Sequence, residues 1–102
     1  MIAQANRRRT KIVATVGPAC QSPEMIRALI RAGVNMFRLN FSHGSHEDHA
    51  VVYHRIREEA RQFSDPVAIL ADLCGPKIRV GKFANDSIVL VEGQTVIVTT
   101  RD

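Results

Sequence analysis

Aromatic residues are scarce in this sequence: there is no tryptophan, one tyrosine (Tyr53) and four phenylalanines among 102 residues. That scarcity excludes the platform of interleaved basic and aromatic side chains on which single-stranded nucleic acids stack. Cysteine is nearly as rare. Cys20 and Cys74 stand far apart, with neither metal-ligand spacing nor the density of a disulfide scaffold. Both read as free thiols of a reducing compartment. No apolar run approaches the roughly 20 residues of a membrane span. The opening MIAQANRRRTK carries positive charge but no apolar stretch ahead of a cleavage site, so it does not read as a secretory signal. A cytoplasmic protein with no membrane partner and no nucleic-acid partner is expected. Internal repeats and low-complexity tracts are absent as well.

What is present is the composition of a soluble globular chain, 45% hydrophobic and 24% charged, long enough for one small domain with a modest core. The formal net charge is +4, much of it from Arg7, Arg8, Arg9 and Lys11. Such a cluster reads as a solvated tail, with binding of nucleic acid or an anionic ligand as the alternative.

Hydrophobic periodicity sets out alternating elements. KIVATVG (Lys11 to Gly17) reads as a short buried strand closed by Gly17-Pro18. SPEMIRALIRAG reads as a helix. Ser22 caps it, Pro23 and Glu24 suit its first turn, and Gly33 stops it. Met25, Ile26, Leu29 and Ile30 form its apolar stripe. A second strand, Asn35 to Phe41, precedes a second helix over SHEDHAVVYHRIREEARQF, where Ser45 and Asp48 have capping-box spacing. VAILADL, Val67 to Leu73, is nearly continuous in apolar residues, as in a strand buried on both sides. The order β-α-β-α-β predicts a parallel sheet with right-handed crossovers. Beyond Gly75-Pro76 the texture changes. Ser87 to Val91 and Thr95 to Thr100 flank Glu92-Gly93-Gln94 and predict an antiparallel hairpin, with a boundary near Gly81.

In parallel α/β folds, ligands gather at the C-terminal ends of the strands. Arg38, Asn40 and Ser42 share one parity on the second strand and its exit, and side chains two apart point the same way. Asp72 ends the third strand, with Gly75, Pro76, Lys77 and Arg79 beyond it. Arg38 and Arg79 suit a phosphate or carboxylate. Asn40, Ser42 and Asp72 supply hard oxygen ligands for a cation. The same residues admit a structural reading: Asn40 and Ser42 as caps, Asp72 as a turn residue, Arg38 as its counter-ion. His43, His46 and His49, at a spacing of three, read as a polar helix face, with metal chelation as the alternative. Ser42-His43 lacks the context of a nucleophile and its base.

TKIVATVGPAC, GVNMFRLNFSHGSHEDH and ADLCGPKIRVG, in this order and spacing, resemble the opening of pyruvate kinases. The resemblance runs from about Arg9 to Asp102. It implies the first three strands and two helices of a (β/α)₈ TIM barrel over residues 1–81, followed by the start of an inserted β-rich lid over residues 82–102. It implies transfer of a phosphoryl group from phosphoenolpyruvate to ADP, giving pyruvate and ATP, in a homotetramer that uses Mg²⁺ and K⁺. By this resemblance Arg38 holds the transferring phosphate. Asn40, Phe41, Ser42 and His43 border the nucleotide, with Arg79 on the nucleotide side. The side chains of Asn40, Ser42 and Asp72 and the carbonyl of Leu73 are the monovalent-cation ligands. Arg38, Asn40 and Ser42 then face the barrel mouth, while Phe37, Leu39 and Phe41 pack outward against helices.

Two departures follow. Many family members have a glutamate where this chain has Lys77 in GPKIR. A fixed ammonium there replaces K⁺ electrostatically and repels it, so a potassium-independent type is expected. A complete barrel takes about 250 residues. The lysine near the reacting phosphate and the acidic Mg²⁺ ligands lie on later strands of the family. The 102-residue chain by itself is expected to be inactive, with a non-catalytic split or truncated module as the alternative.

Overall fold

The computed structural model describes residues 8–100. The chain runs β1 (Val13–Thr15), a 3₁₀ turn (Pro18–Cys20), α1 (Pro23–Ala32), β2 (Met36–Asn40), α2 (His46–Ala60) and β3 (Ala68–Asp72). The strands form one parallel sheet in the order β1-β2-β3. The register places Val13 beside Met36 and Met36 beside Ala68; toward the other end, Asn40 lies beside Asp72.

Both helices begin and end where local chemistry dictates. The Ser22 hydroxyl accepts from the Met25 amide at 3.2 Å, and Pro23 occupies the first turn. Glu24 follows it, held below the ordinary carboxylate range chiefly by its own backbone amide and then by the Ser22 hydroxyl. At the other end Gly33 takes φ +106°, and the amides of Gly33 and Val34 reach back to Ile30 and Leu29 at 2.9 and 3.0 Å. The Arg8 guanidinium donates to the Gly33 carbonyl, so one arginine of the basic cluster sits at the negative end of α1. Arg7 lies outside the described residues. α2 starts with the expected capping box, Ser45 Oγ accepting from the Asp48 amide and Asp48 Oδ2 from the Ser45 amide, each at 3.1 Å. It ends at Ala60, short of the predicted Phe63.

The core lies between the helices and one side of the sheet. Ile26, Ile30, Phe37 and Ile56 have no exposed surface, and Leu39, Val52, Phe63 and Val67 join them. Each fully buried side chain of this kind contributes about 1.5–3 kcal/mol. Met25, expected on the α1 stripe, is instead exposed. An ion pair with its carboxylate buried ties the helices: Arg27 Nε and Nη2 donate to the two carboxylate oxygens of Glu59 at 2.6 and 3.1 Å, and Gln62 donates to Glu59 at 2.9 Å. Glu59 is buried, and its hydrogen bonds raise the already high pKa of Arg27.

Two expectations need correction. β1 and β3 are not the buried strands expected: Val13 and Leu70 are exposed, because helices cover one side of the sheet only. The hairpin predicted over 87–100 is also absent. Its turn forms, with Gly93 at φ +82° and the Gln94 amide on the Val91 carbonyl at 3.1 Å. Its ladder does not, and no strand follows β3 among the described residues. Two strands with no packing face are marginal in water, and Val89, Leu90, Ile97 and Val98 are all exposed. No helix among the described residues is long and apolar enough to cross a membrane.

Candidate functional site

Alternation along β2 separates packing from chemistry. Phe37 and Leu39 are buried against the helices, and Arg38 and Asn40 point to the uncovered side of the sheet. The register aligns Arg38 with Thr15 on β1 and with Leu70 on β3, one pleat below the Asn40–Asp72 pair. Arg38 therefore reaches both neighbouring strands. Its Nε donates to Asp72 Oδ2 at 2.8 Å, Nη2 donates to the same oxygen, and Nη1 donates to Thr15 Oγ1 at 3.2 Å. Three of the five guanidinium N–H groups are engaged in this way, and two remain for an anion. The Asp72 side chain is 44% exposed. At that exposure the pair orients the guanidinium more than it stabilises the fold.

The turn from β2 to α2 is built from the next residues. The Phe41 amide donates to the Asp72 carbonyl at 3.0 Å, which extends the β2–β3 ladder by one bond. Asn40 Oδ1 accepts from the Ser42 amide at 3.1 Å, and the His43 amide reaches the Asn40 carbonyl at 3.3 Å. Asn40 thus shapes the turn, while the helix cap itself is Ser45 and not Ser42. Phe41 is half-buried and packs against the core edge, and its ring stacks on His49 with centroids 4.3 Å apart.

Between this turn, the start of α2 and the loop after β1 lies an open cleft of about 550 Å³, lined among others by Thr15, Gly17, Asn40, His43, Asp48 and His49. Asp48 is held below the ordinary carboxylate range by the Ser45 hydroxyl and then by the Ser45 amide. A smaller hollow of about 310 Å³, with Lys11, Asn35 and Asp65, lies at the opposite ends of the strands. Thr15, Asp48 and His49 were not among the sequence-derived site residues. Parity with Arg38 across the register is the signal that picks out Thr15. Asp48 carries the signal of a cap, and His49 that of a polar helix face with metal chelation as the alternative.

Other predicted site residues do not converge on Arg38. Leu73, Lys77 and Arg79 are exposed, and neither the Lys77 nor the Arg79 side chain makes a hydrogen bond or ion pair among the described residues. Gly75, at φ +62°, and a bond from the Lys77 amide to its carbonyl at 3.0 Å carry the chain away from β3. Cys20 and Cys74 are free thiols, and Cys20 Sγ accepts from the Gly17 amide at 3.3 Å. The three histidines do not gather around a metal: His49 Nε2 lies 2.7 Å from the His43 carbonyl, and His46 meets Phe41 edge-on at 6.0 Å. Among the described residues no cluster of three or more His, Cys, Asp or Glu side chains could hold a metal ion. The oxygen set at Asn40, Ser42, Asp72 and Leu73 is a different kind of donor group. Asn40 and Asp72 are register partners, and among the described residues Asp72 Oδ1 carries no bond, which fits a hard monovalent cation.

Comparison with known proteins points to one family. The family model described as "Pyruvate kinase, barrel domain" matches residues 7–102. A pyruvate kinase of Agrobacterium vitis is 54% identical over 91 residues, covering 89% of this chain and 19% of that protein. "Pyruvate kinase 2" of a Synechocystis species is 56% identical over 96 residues, 92% of this chain and 16% of that protein. A pyruvate kinase of Mycobacterium tuberculosis is 49% identical over 92 residues, 90% of this chain and 20% of that protein. The chain spans about a fifth of the length of these curated relatives.

Proposed function

The chain belongs to the pyruvate kinase family, and from that premise we propose that its strand ends form the phosphate- and nucleotide-facing part of an enzyme that transfers a phosphoryl group from phosphoenolpyruvate to ADP. The observation that carries this reading is Arg38, set on the uncovered side of the sheet at the C-terminal end of β2, oriented by Asp72 and Thr15, with two N–H groups to spare. Phosphoryl transfer asks little covalent chemistry of a protein. It needs donors held in place around the three equatorial oxygens of the transferring group. A guanidinium already tied to two strands requires no reorganisation when the phosphate arrives.

In this reading Asn40, Phe41, Ser42 and His43 border the nucleotide across the cleft, and Arg79 joins from the segment after β3. Residues 82–102 lead from the barrel segment into a lid over the barrel mouth. A monovalent cation would be held by the side-chain oxygens of Asn40, Ser42 and Asp72 and by the Leu73 carbonyl, where it would supply positive charge beside the phosphates. In the full-length enzyme the Lys77 ammonium would take the place of that cation, and turnover would not require K⁺. The Mg²⁺ ligands lie on later strands of the family barrel. The complete enzyme is a cytoplasmic homotetramer, and the 102 residues alone are inactive.

The test is Arg38→Lys in the full-length enzyme that carries this segment. Lysine keeps the charge but loses the planar fork that bonds Asp72, Thr15 and a phosphate together. The expected result is a fall in kcat/KM for phosphoenolpyruvate of about 100-fold or more, with a melting temperature close to that of the parent. Near-parental turnover would remove Arg38 from the reaction.

A further inference from the structure

The turn that follows β2 leans on one side chain of α2. His49 stacks on Phe41 with ring centroids 4.3 Å apart and planes 23° from parallel. Its Nε2 lies 2.7 Å from the His43 carbonyl oxygen. A carbonyl only accepts, so Nε2 carries the proton and donates. One imidazole therefore holds the turn at two points, Phe41 by its face and His43 by its edge. Gly44 closes the space between them. It takes φ +77°, and a Cβ there would stand 3.4 Å from His49 Nε2. The post itself is firm: the His49 amide bonds to the Ser45 carbonyl at 3.2 Å, within the turn that the Ser45–Asp48 box secures. The middle of the turn is pinned independently by Asn40 Oδ1 on the Ser42 amide.

We propose that His49 is a positioning residue for the nucleotide: it sets the path of Phe41 to His43 through the ring stack and the His43 carbonyl. The inference rests on the nucleotide-side reading of Asn40 to His43. Its consequence is selective. Loosening this turn alters the cleft lined by Asn40, His43 and Gly44, whereas Arg38 stays tied to Asp72 and Thr15 on the sheet. ADP binding should suffer and phosphoenolpyruvate binding should not.

Three variants of the full-length enzyme separate the two contacts. His49→Gln keeps an N–H donor and loses the stack, His49→Phe keeps a ring and loses the donor, and His49→Ala loses both. The readouts are the KM for each substrate, the equilibrium affinity for ADP and the melting temperature. For His49→Ala the expected result is a roughly tenfold rise in the KM and Kd for ADP, the size of a lost hydrogen bond plus a lost ring contact. The KM for phosphoenolpyruvate should stay within about twofold of the parent, a change of about 0.4 kcal/mol. His49→Gln and His49→Phe should each recover part of the loss, and they carry the test if His49→Ala does not fold. An ADP affinity unchanged in all three variants would overturn the proposal. So would a parallel rise in both KM values that tracks the loss of melting temperature, the mark of a purely structural residue. Failure of the parent enzyme to bind ADP would instead overturn the function proposed above, and with it the premise of this inference.

Discussion

Arg38 and Lys77 carry opposite lessons about single residues. Arg38 is legible because a charged side chain alternates with buried Phe37 and Leu39 on a short strand. Its partners are less legible. Arg38 and Asp72 are 34 positions apart, and nothing local specifies that their side chains meet. The alternative in which Arg38 neutralises Asp72 proves compatible with a site, because the ion pair leaves part of the guanidinium free. Lys77 stands out by comparison with the family's motif and not by contact, since its side chain is exposed. The prediction at this scale concerns charge. Turnover of the full-length enzyme should be insensitive to K⁺ at constant ionic strength. Lys77→Glu should create a K⁺ requirement, seen as activation on titrating K⁺ against a large organic cation. A parent enzyme that already needs K⁺ would exclude the ammonium-for-potassium substitution.

At the scale of elements, both helices obey their termini. Gly33 sits at φ +106° with the Arg8 guanidinium where a Cβ would go. Gly33→Ala should therefore destabilise the fold by about 1–2 kcal/mol, the cost of a left-handed non-glycine residue, measured as a shift of the urea midpoint with unchanged slope. The start of α2 adds a pH dependence. Asp48 has a carboxyl pKa lowered in the folded chain by the Ser45 hydroxyl and amide. A depressed carboxylate contributes stability that is fully present above its unfolded pKa and is lost as pH falls through the folded one. Melting temperatures followed downward from about pH 5 should fall more steeply for the parent than for Asp48→Asn, which has no proton to gain. Equal slopes would mean that the capping box contributes nothing in acid. The predicted hairpin marks the limit of element-level reading. β-branched runs around Glu92-Gly93 specify a turn, but a ladder needs a face to cover, and none is supplied within residues 8–100.

The whole molecule is a packed half-layer with an extended continuation. Its Cα radius of gyration is 19.6 Å, against about 13 Å for a compact chain of this length. Among the described residues, every buried hydrophobic residue of the core lies at or before Val67. Removing residues 82–102 should therefore leave the thermal transition of the remaining chain unchanged within about 2 °C, while the scattering radius falls. A clear drop in melting temperature would show that the segment packs on the core. The ion pair between α1 and α2 belongs to this scale too. Arg27→Ala strands the buried Glu59 carboxylate, so it should lower the melting temperature more than Arg61→Ala, which breaks only the exposed pair with Glu58.

Within its own span the sequence determined what acts over one to four residues: the caps at Ser22 and Ser45, the stop at Gly33, the two apolar periods, and the parity that puts Arg38 and Asn40 on one side of a strand. These follow from backbone geometry, which each short stretch specifies for itself. The tertiary structure alone decided which distant groups meet. It joined Arg38 to Asp72 and Thr15, paired Arg27 with Glu59 across 32 positions, and set the turn of Phe41 and His43 against His49. It also left one side of β1 and β3 bare, where apolar runs had predicted burial. An apolar run records that a strand favours cover, and only the packing of the other elements determines which of its sides receives any.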